Sequence, residues 1–192
     1  AYNEEKTIID NVLSLLRMDY PNFEVCIVND GSKDKTLELL IDTFDLVEVP
    51  FEYVEKVHCA PFKRLFKSTN INYSKLIVVD KVNGGTKADA VNAGLNVIEN
   101  PYFINTDVDC ILSKDAMYQC VFPVITDESI IAVSGTMSMS NGSTIDNGEL
   151  VDIRPSNRPI PLFQDLEYKR SFLVGKMGWS KINAMNNVSG GY

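Results

Sequence analysis

Two aspartates one residue apart, Asp107-Val108-Asp109, follow directly on the short apolar run Tyr102-Phe103-Ile104-Asn105. A tight turn at that place can send both carboxylates toward one point beyond a strand end. Open α/β sheets bind their ligands in that crevice, outside the carboxyl ends of the strands. Two carboxylates roughly 4 Å apart repel by about 4 kcal/mol at an effective dielectric near 20. A divalent cation relieves the repulsion, and hard ions such as Mg²⁺ take one or two carboxylates together with phosphate oxygens. The pair therefore reads as a metal-diphosphate clamp, with a solvated acidic turn as the plainer alternative.

Three further segments carry residue types that suit the same ligand. Asn29-Asp30-Gly31-Ser32 offers the Asp30 carboxylate to a base imide N–H or a ribose hydroxyl, and Gly31 permits a tight turn. Asp-Gly-Ser is also a common turn with no ligand. In Asn83-Gly84-Gly85-Thr86-Lys87-Ala88-Asp89, Gly84 and Gly85 allow close backbone approach. Lys87 brings a cation to phosphate there. The spacing is neither that of a dinucleotide-binding G-x-G-x-x-G nor that of a Walker loop. Asp89 can anchor Lys87, touch ligand or complement a helix dipole. The third segment is Ala1-Tyr2-Asn3-Glu4-Glu5, where Tyr2 can pack on a flat base; a frayed terminus is the alternative.

These segments need a sheet to bring them together, and the apolar pattern supplies one. Ile8, Val12, Leu15 and Leu16 form a helical stripe that ends at Tyr20-Pro21. Residues 23–28 and 75–79 are continuous apolar runs of the kind buried in parallel sheets. Asp34 is placed to cap a helix through Leu37, Leu40 and Ile41, and Ala88, Val91, Leu95 and Ile98 make the next helical face. A third strand is expected over 102–105 and a fourth over 130–133. Between them Ser113 caps a helix that Pro123 limits. Residues 135–161 read as a long surface excursion with room for a hairpin, 162–177 as helix, and 44–69 carries no clear period. Strand then helix, repeated, predicts an α/β fold with a mostly parallel central sheet and helices on both faces.

Composition narrows the partners. The 192 residues suffice for one sizeable α/β core, and a net charge of -8 argues against nucleic acid, which needs clustered Lys and Arg. The same charge makes an anion hard to hold without a metal or local cations. Cys26, Cys59, Cys110 and Cys120 show no C-x-x-C spacing and read as reduced thiols, and His58 beside Cys59 as an incidental pair. No apolar stretch approaches the ~18 residues of a membrane span.

Taken in order, the blocks at 1–5, 20–25, 29–34, Gly84 through Asn92 with Gly94, and 107–112 resemble the family 2 glycosyltransferases over about residues 1–135. The stretches at 163–168 and Ser189-Gly190-Gly191-Tyr192 are similar to membrane-associated bacterial polysaccharide synthases of that family. The resemblance implies a GT-A fold, a nucleotide-diphosphate sugar donor (UDP by default), a carbohydrate or lipid-linked acceptor, and inversion at the anomeric carbon. It implies that Tyr2, Asn3 and Glu4 flank the nucleoside and that Asp30 contacts the base. Gly84, Gly85 and Lys87 then support the nucleotide, Asp107 lies near ribose or sugar, and Asp109 ligates Mg²⁺ or Mn²⁺. Gln164 and Glu167 are hinted at the acceptor, against a reading as solvated helix positions. Trp179 and the basic, aromatic mixture over 168–181 read either as packing or as a bilayer contact.

The resemblance also implies a single catalytic domain over 1–192, with 1–110 as the nucleotide-binding half and 111–192 as the start of the acceptor half. No catalytic residue is expected within the chain, because the family's general-base carboxylate falls downstream of Tyr192. An apolar strand precedes the Tyr-Asn-Glu block in the family, so an open place in the sheet is expected before Ala1, available to another segment or to an oligomer partner. The piece itself is expected to be soluble, with membrane attachment through segments outside it and the cytoplasmic face of the bacterial inner membrane as location. The rival readings are a non-catalytic nucleotide-sugar sensor and a sugar-nucleotide nucleotidyltransferase.

Overall fold

The computed structural model describes residues 1–182, 184 and 185. Its elements run α1 (Ile8–Leu16), β1 (Val25–Asn29), α2 (Thr36–Thr43), β2 (Leu46–Glu48), β3 (Phe62–Ser68), β4 (Leu76–Lys81), α3 (Lys87–Val97) and α4 (Ala116–Thr126). A hairpin follows, β5 (Thr144–Asp146) and β6 (Glu149–Asp152), then α5 (Pro159–Arg170), a π-helical stretch over 171–176, and α6 (Met177–Lys181).

The main sheet has the order β1-β4-β3-β2. β4 sits inside it because every one of its residues is buried, as its unbroken apolar run requires. Burying a side chain the size of Val78 or Leu76 is worth about 1.5–3 kcal/mol relative to exposure. β1 and β4 are parallel, pairing Val25 with Leu76 through Asn29 with Asp80, so both strands end on the same side of the molecule. Helices cover both faces. Ile8, Val12 and Leu15 of α1, Leu40 of α2 and Met117 of α4 pack with Val25, Ile27, Leu76 and Val78 on one face. On the other, Val97 of α3 joins Cys26, Val28, Ile77 and Val79. Gly94 of α3 rests on β1, where an added Cβ would lie 3.6 Å from Val28 Cγ2.

The expected α/β layering is therefore observed, in a mixed sheet. The segment without a period, 44–69, supplies β2 and β3, which run antiparallel to each other and to β4. Lys63, Arg64 and Lys67 within β3 mask its alternation, and Arg64 is held by an ion pair to Asp80 at 2.9 Å. The runs over 102–105 and 130–133 join no ladder, in contrast to the expectation of two further parallel strands. A strand needs a neighbour about 4.8 Å away to exchange hydrogen bonds. The outer edge of β1 and the 102–105 run instead line opposite parts of one cleft, and Ile131 is almost fully exposed. At the outer edge of β1, the Ala1 amino group donates to the Val28 carbonyl at 2.7 Å and the Asp30 amide donates to the Ala1 carbonyl at 2.9 Å, one rung of a parallel ladder.

Two boundaries also differ. Pro123 lies inside α4 instead of limiting it, and the helix continues to Thr126, whose hydroxyl donates to the carbonyls of Phe122 and Pro123. Ser113 contributes its backbone carbonyl to the Ala116 amide, with Asp115 at the cap position. Asp34 stands one residue before the cap position of α2, which is Lys35 and makes no side-chain cap bond; the Asp34 carboxylate nevertheless accepts from the Thr36 amide at 3.0 Å. The hairpin in the surface excursion turns on Asn147-Gly148, both at positive φ, the pairing that two-residue turns favour. Gly148 lies so close to α1 that a Cβ would meet the Asp10 carbonyl at 2.6 Å, and its amide donates to the Asp10 carboxylate at 3.0 Å.

Candidate functional site

A cleft of about 890 Å³ opens where β1 and β4 end. The outer edge of β1 and the 102–104 run give it apolar walls. Tyr2, Glu4, Asp30, Asn83, Gly85, Lys87, Asp107 and Asp109 supply its polar lining. Four separate stretches of sequence thus meet in one space, delivered by the parallel β1–β4 pair, the N-terminus of α3, and the turn after residue 106.

The turn at 107–110 is closed by the Cys110 amide donating to the Asp107 carbonyl at 3.2 Å. Val108 packs against the core, which leaves Asp107 and Asp109 lining the cleft. Asn11, 1% exposed on α1, fastens this turn by donating its amide to the carbonyls of Asp107 (3.2 Å) and Cys110 (2.7 Å). Lys87, in the first turn of α3, makes an ion pair with the Asp107 carboxylate. Asp109 is exposed. Burial first, then the carboxylates of Asp109 and Asp107, push the Cys110 thiol up to about 11. It is therefore a protonated thiol at neutral pH.

Two carboxylates suit a hard divalent cation that shares its remaining positions with phosphate and water. Among the described residues no group of three or more His, Cys, Asp or Glu gathers to hold a metal ion. The donor set fits an ion that arrives with a diphosphate, rather than a protein-caged metal.

Asp30, directly after β1, is buried and held from several sides. Its Oδ1 accepts from Lys81 Nζ at 2.6 Å and from the Gly84 amide at 3.0 Å, and its carbonyl accepts from Asn83 Nδ2 at 2.7 Å. Lys81 is 0% exposed and also donates to Asp89 Oδ1 at 2.5 Å and to the Val82 carbonyl at 2.7 Å. Burial by itself lowers the Lys81 ammonium, but hydrogen bonds to the two carboxylates outweigh it and leave the group above its ordinary value. The bond from Lys81 holds the Asp89 carboxyl below the usual carboxylate range. Lys81 and Asp89 are thus both ionised at neutral pH.

The N-terminal block splits in two. Tyr2, 45% exposed, and Glu4 line the cleft. Asn3 does not, and braces the next loop: its amide donates to Ser32 Oγ at 3.0 Å and its Oδ1 accepts from the Lys33 amide at 2.8 Å. Gly84 likewise stands behind the lining, where an added Cβ would fall 2.0 Å from Asp89 Oδ1. Gln164 and Glu167 stand exposed on α5, outside the cleft lining. Trp179 is exposed on α6, and the block at 189–192 lies outside the described residues.

Sequence reasoning passed over Asn11 and Lys81. Asn11 had a signal, since it is a polar residue flanked by Ile8, Val12 and Leu15 on the apolar stripe of α1. Lys81 had none, because a lysine ending an apolar run reads as the strand reaching solvent.

Residues 1–56 match the family model described as Glycosyl transferase family 2. A poly-beta-1,6-N-acetyl-D-glucosamine synthase of Staphylococcus epidermidis strain ATCC 35984 is 27% identical over 190 residues, 99% of this chain and 36% of that protein. The protein of that name from Staphylococcus aureus strain COL is 26% identical with the same coverage. The chain thus spans 36% of the length of the curated relatives it matches. No solved structure matches it. Among the described residues, no helix is long and apolar enough to cross a membrane.

Proposed function

We propose that this chain, similar over residues 1–56 to the family 2 glycosyltransferases, is the donor-binding part of an inverting enzyme that builds a cell-surface polysaccharide. The donor is a nucleoside diphosphate sugar, with UDP as the nucleotide. The name of the staphylococcal relatives points to N-acetylglucosamine as the sugar, and the acceptor is a growing carbohydrate or a lipid-linked one. Residues 1–110 form the nucleotide-binding half and 111–192 the start of the acceptor half. In the intact protein the domain works at the cytoplasmic face of the membrane.

One observation carries the proposal: Tyr2, Asp30, Lys87, Asp107 and Asp109 converge on a single cleft at the ends of two parallel strands. There Asp30 accepts an N–H of the base and Tyr2 covers its face. The N-terminus of α3 and Lys87 attract the phosphates, since free helix amides and a lysine both favour an anion. Lys87 exchanges part of its pairing with Asp107 for the ligand. Asp109, with Asp107, holds Mg²⁺ or Mn²⁺, which when bound supplies charge neutralisation on the departing nucleoside diphosphate. Gln164 and Glu167, outside the cleft, are proposed only as acceptor contacts in the intact enzyme.

Titration calorimetry of UDP, with Mn²⁺ and then with chelator, on the chain and on Asp109→Ala tests this reading. The expected result is metal-dependent binding that Asp109→Ala weakens by about 10-fold or more, or about 1.4 kcal/mol. Equal affinity in chelator removes the clamp. Turnover of the donor by the intact protein separates a transferase from a non-catalytic sensor.

A further inference from the structure

Lys81 does not line the cleft, yet it is tied to a residue that does. All three N–H groups of its ammonium are engaged, by Asp30 Oδ1, Asp89 Oδ1 and the Val82 carbonyl. The network has few loose ends: Asp89 Oδ2 accepts from the Ala60 amide at 2.9 Å, and the Gly84 amide adds a second bond to Asp30 Oδ1. A fully buried cation is a costly way to stabilise a fold, since well-packed apolar residues often do as well. What the triad does supply is a fixed orientation for one carboxylate. Of its three charged members only Asp30 reaches the cleft.

Resting on the nucleoside diphosphate reading above, we infer that Lys81 is a positioning residue for base selection. It engages one oxygen of Asp30 and leaves the other as a single anionic acceptor for the imide N–H of a uracil-type base. Among the described residues no hydrogen-bond partner falls on Asp30 Oδ2, and that atom is not among the buried, unpaired ones. A single acceptor matches the one N–H of uracil. Cytosine and adenine present a ring lone pair at the equivalent position, which a carboxylate repels. Guanine presents two adjacent N–H donors and needs both carboxylate oxygens, one of which is already committed. Without Lys81 only the Gly84 amide holds Asp30 Oδ1, the carboxylate is less firmly oriented, and discrimination falls even where nucleotide binding persists.

The test is a ratio, so that a general loss of fold quality cancels. Dissociation constants for UDP, CDP and GDP, all with Mn²⁺, are measured for the 192-residue chain, for Lys81→Met, and for Lys81→Met/Asp89→Asn. The double variant removes one charge of each sign from the same ion pair and so keeps the measurement possible if the single variant fails to fold. The wild type is expected to prefer UDP, and both variants are expected to lose about tenfold or more of the UDP-over-CDP preference. Their CDP affinity should stay within about twofold of wild type. Variants that weaken UDP and CDP by one common factor, or that keep the wild-type ratio, overturn the role of Lys81. A wild-type chain that binds UDP and CDP equally overturns it too. A wild-type chain that binds none of the three instead refutes the nucleotide reading itself, so the two failures are distinguishable.

Discussion

Asn11→Leu tests whether the aspartate turn is prepared for its ligand before the ligand arrives. Leucine is close to asparagine in shape and keeps the helical backbone of α1, but it removes the donors that reach the carbonyls of Asp107 and Cys110. Two net hydrogen bonds at about 1 kcal/mol each give a loss of about 2 kcal/mol, rising toward about 4 where the carbonyls find no water. Domains of this size are stable by about 5–15 kcal/mol, so the variant folds. Urea unfolding then reads the first effect as a lower midpoint with an unchanged slope. Calorimetry reads the second: with the turn unfastened, UDP in Mn²⁺ binds about 10-fold more weakly, while UMP in chelator, which does not call on the aspartates, binds as before. An Asn11→Leu protein of wild-type stability, or one that loses UMP and UDP affinity alike, refutes the claim that Asn11 pre-forms this turn.

Two further outcomes concern the buried triad. Lys81 holds the folded-state carboxyl of Asp89 below its ordinary 3.8, so this contribution to stability is fully present above that value and is lost as pH falls through the lower folded value. Acid unfolding should therefore show a slope in that window that Asp89→Asn flattens. Lys81 is shifted the opposite way, so its share is present below 10.5 and is lost as pH rises through its higher folded value. Gly84→Ala would place a Cβ 2.0 Å from Asp89 Oδ1, and relief of the clash requires that carboxylate to leave Lys81. Thermal unfolding should show a loss on the order of 1–3 kcal/mol, and a silent Gly84→Ala would contradict the packing described here.

How far the sequence discloses this molecule depends on whether burial has a local signature. β4 is legible because six consecutive residues are buried and its apolar run has no other use. α1 is legible from the spacing of Ile8, Val12 and Leu15. β3 is not, because Arg64 and its neighbouring lysines are charged residues within a strand, and the charge of Arg64 is answered by Asp80, sixteen positions away. The candidate site divides along the same line. Asp30, Lys87, Asp107 and Asp109 follow apolar runs or open helices, so pattern alone points at them. Asn3 and Gly84 belong to the same motifs but face away from the cleft, which no spacing rule can foresee. Lys81 depends on Asp30, fifty-one positions earlier, and becomes visible only when β1 and β4 lie side by side.

The charge of the cleft favours the proposed role of a cation. The cleft is lined by the carboxylates of Glu4, Glu24, Asp30, Asp107 and Asp109, against Lys87 and the Ala1 amino group. Lys81 is committed beneath the surface and lends its charge to Asp30 and Asp89. A diphosphate entering such a space adds negative charge to a surplus, and Lys87 cannot serve it fully while paired with Asp107. In the proposed function, Asp107 and Asp109 would hold a dication whose charge would offset their mutual repulsion and leave Lys87 available to the anion. With a net charge of -8 and a carboxylate surplus in the cleft, the proposed bridging ion is the physical reason to expect affinity for UDP to follow Mn²⁺ concentration.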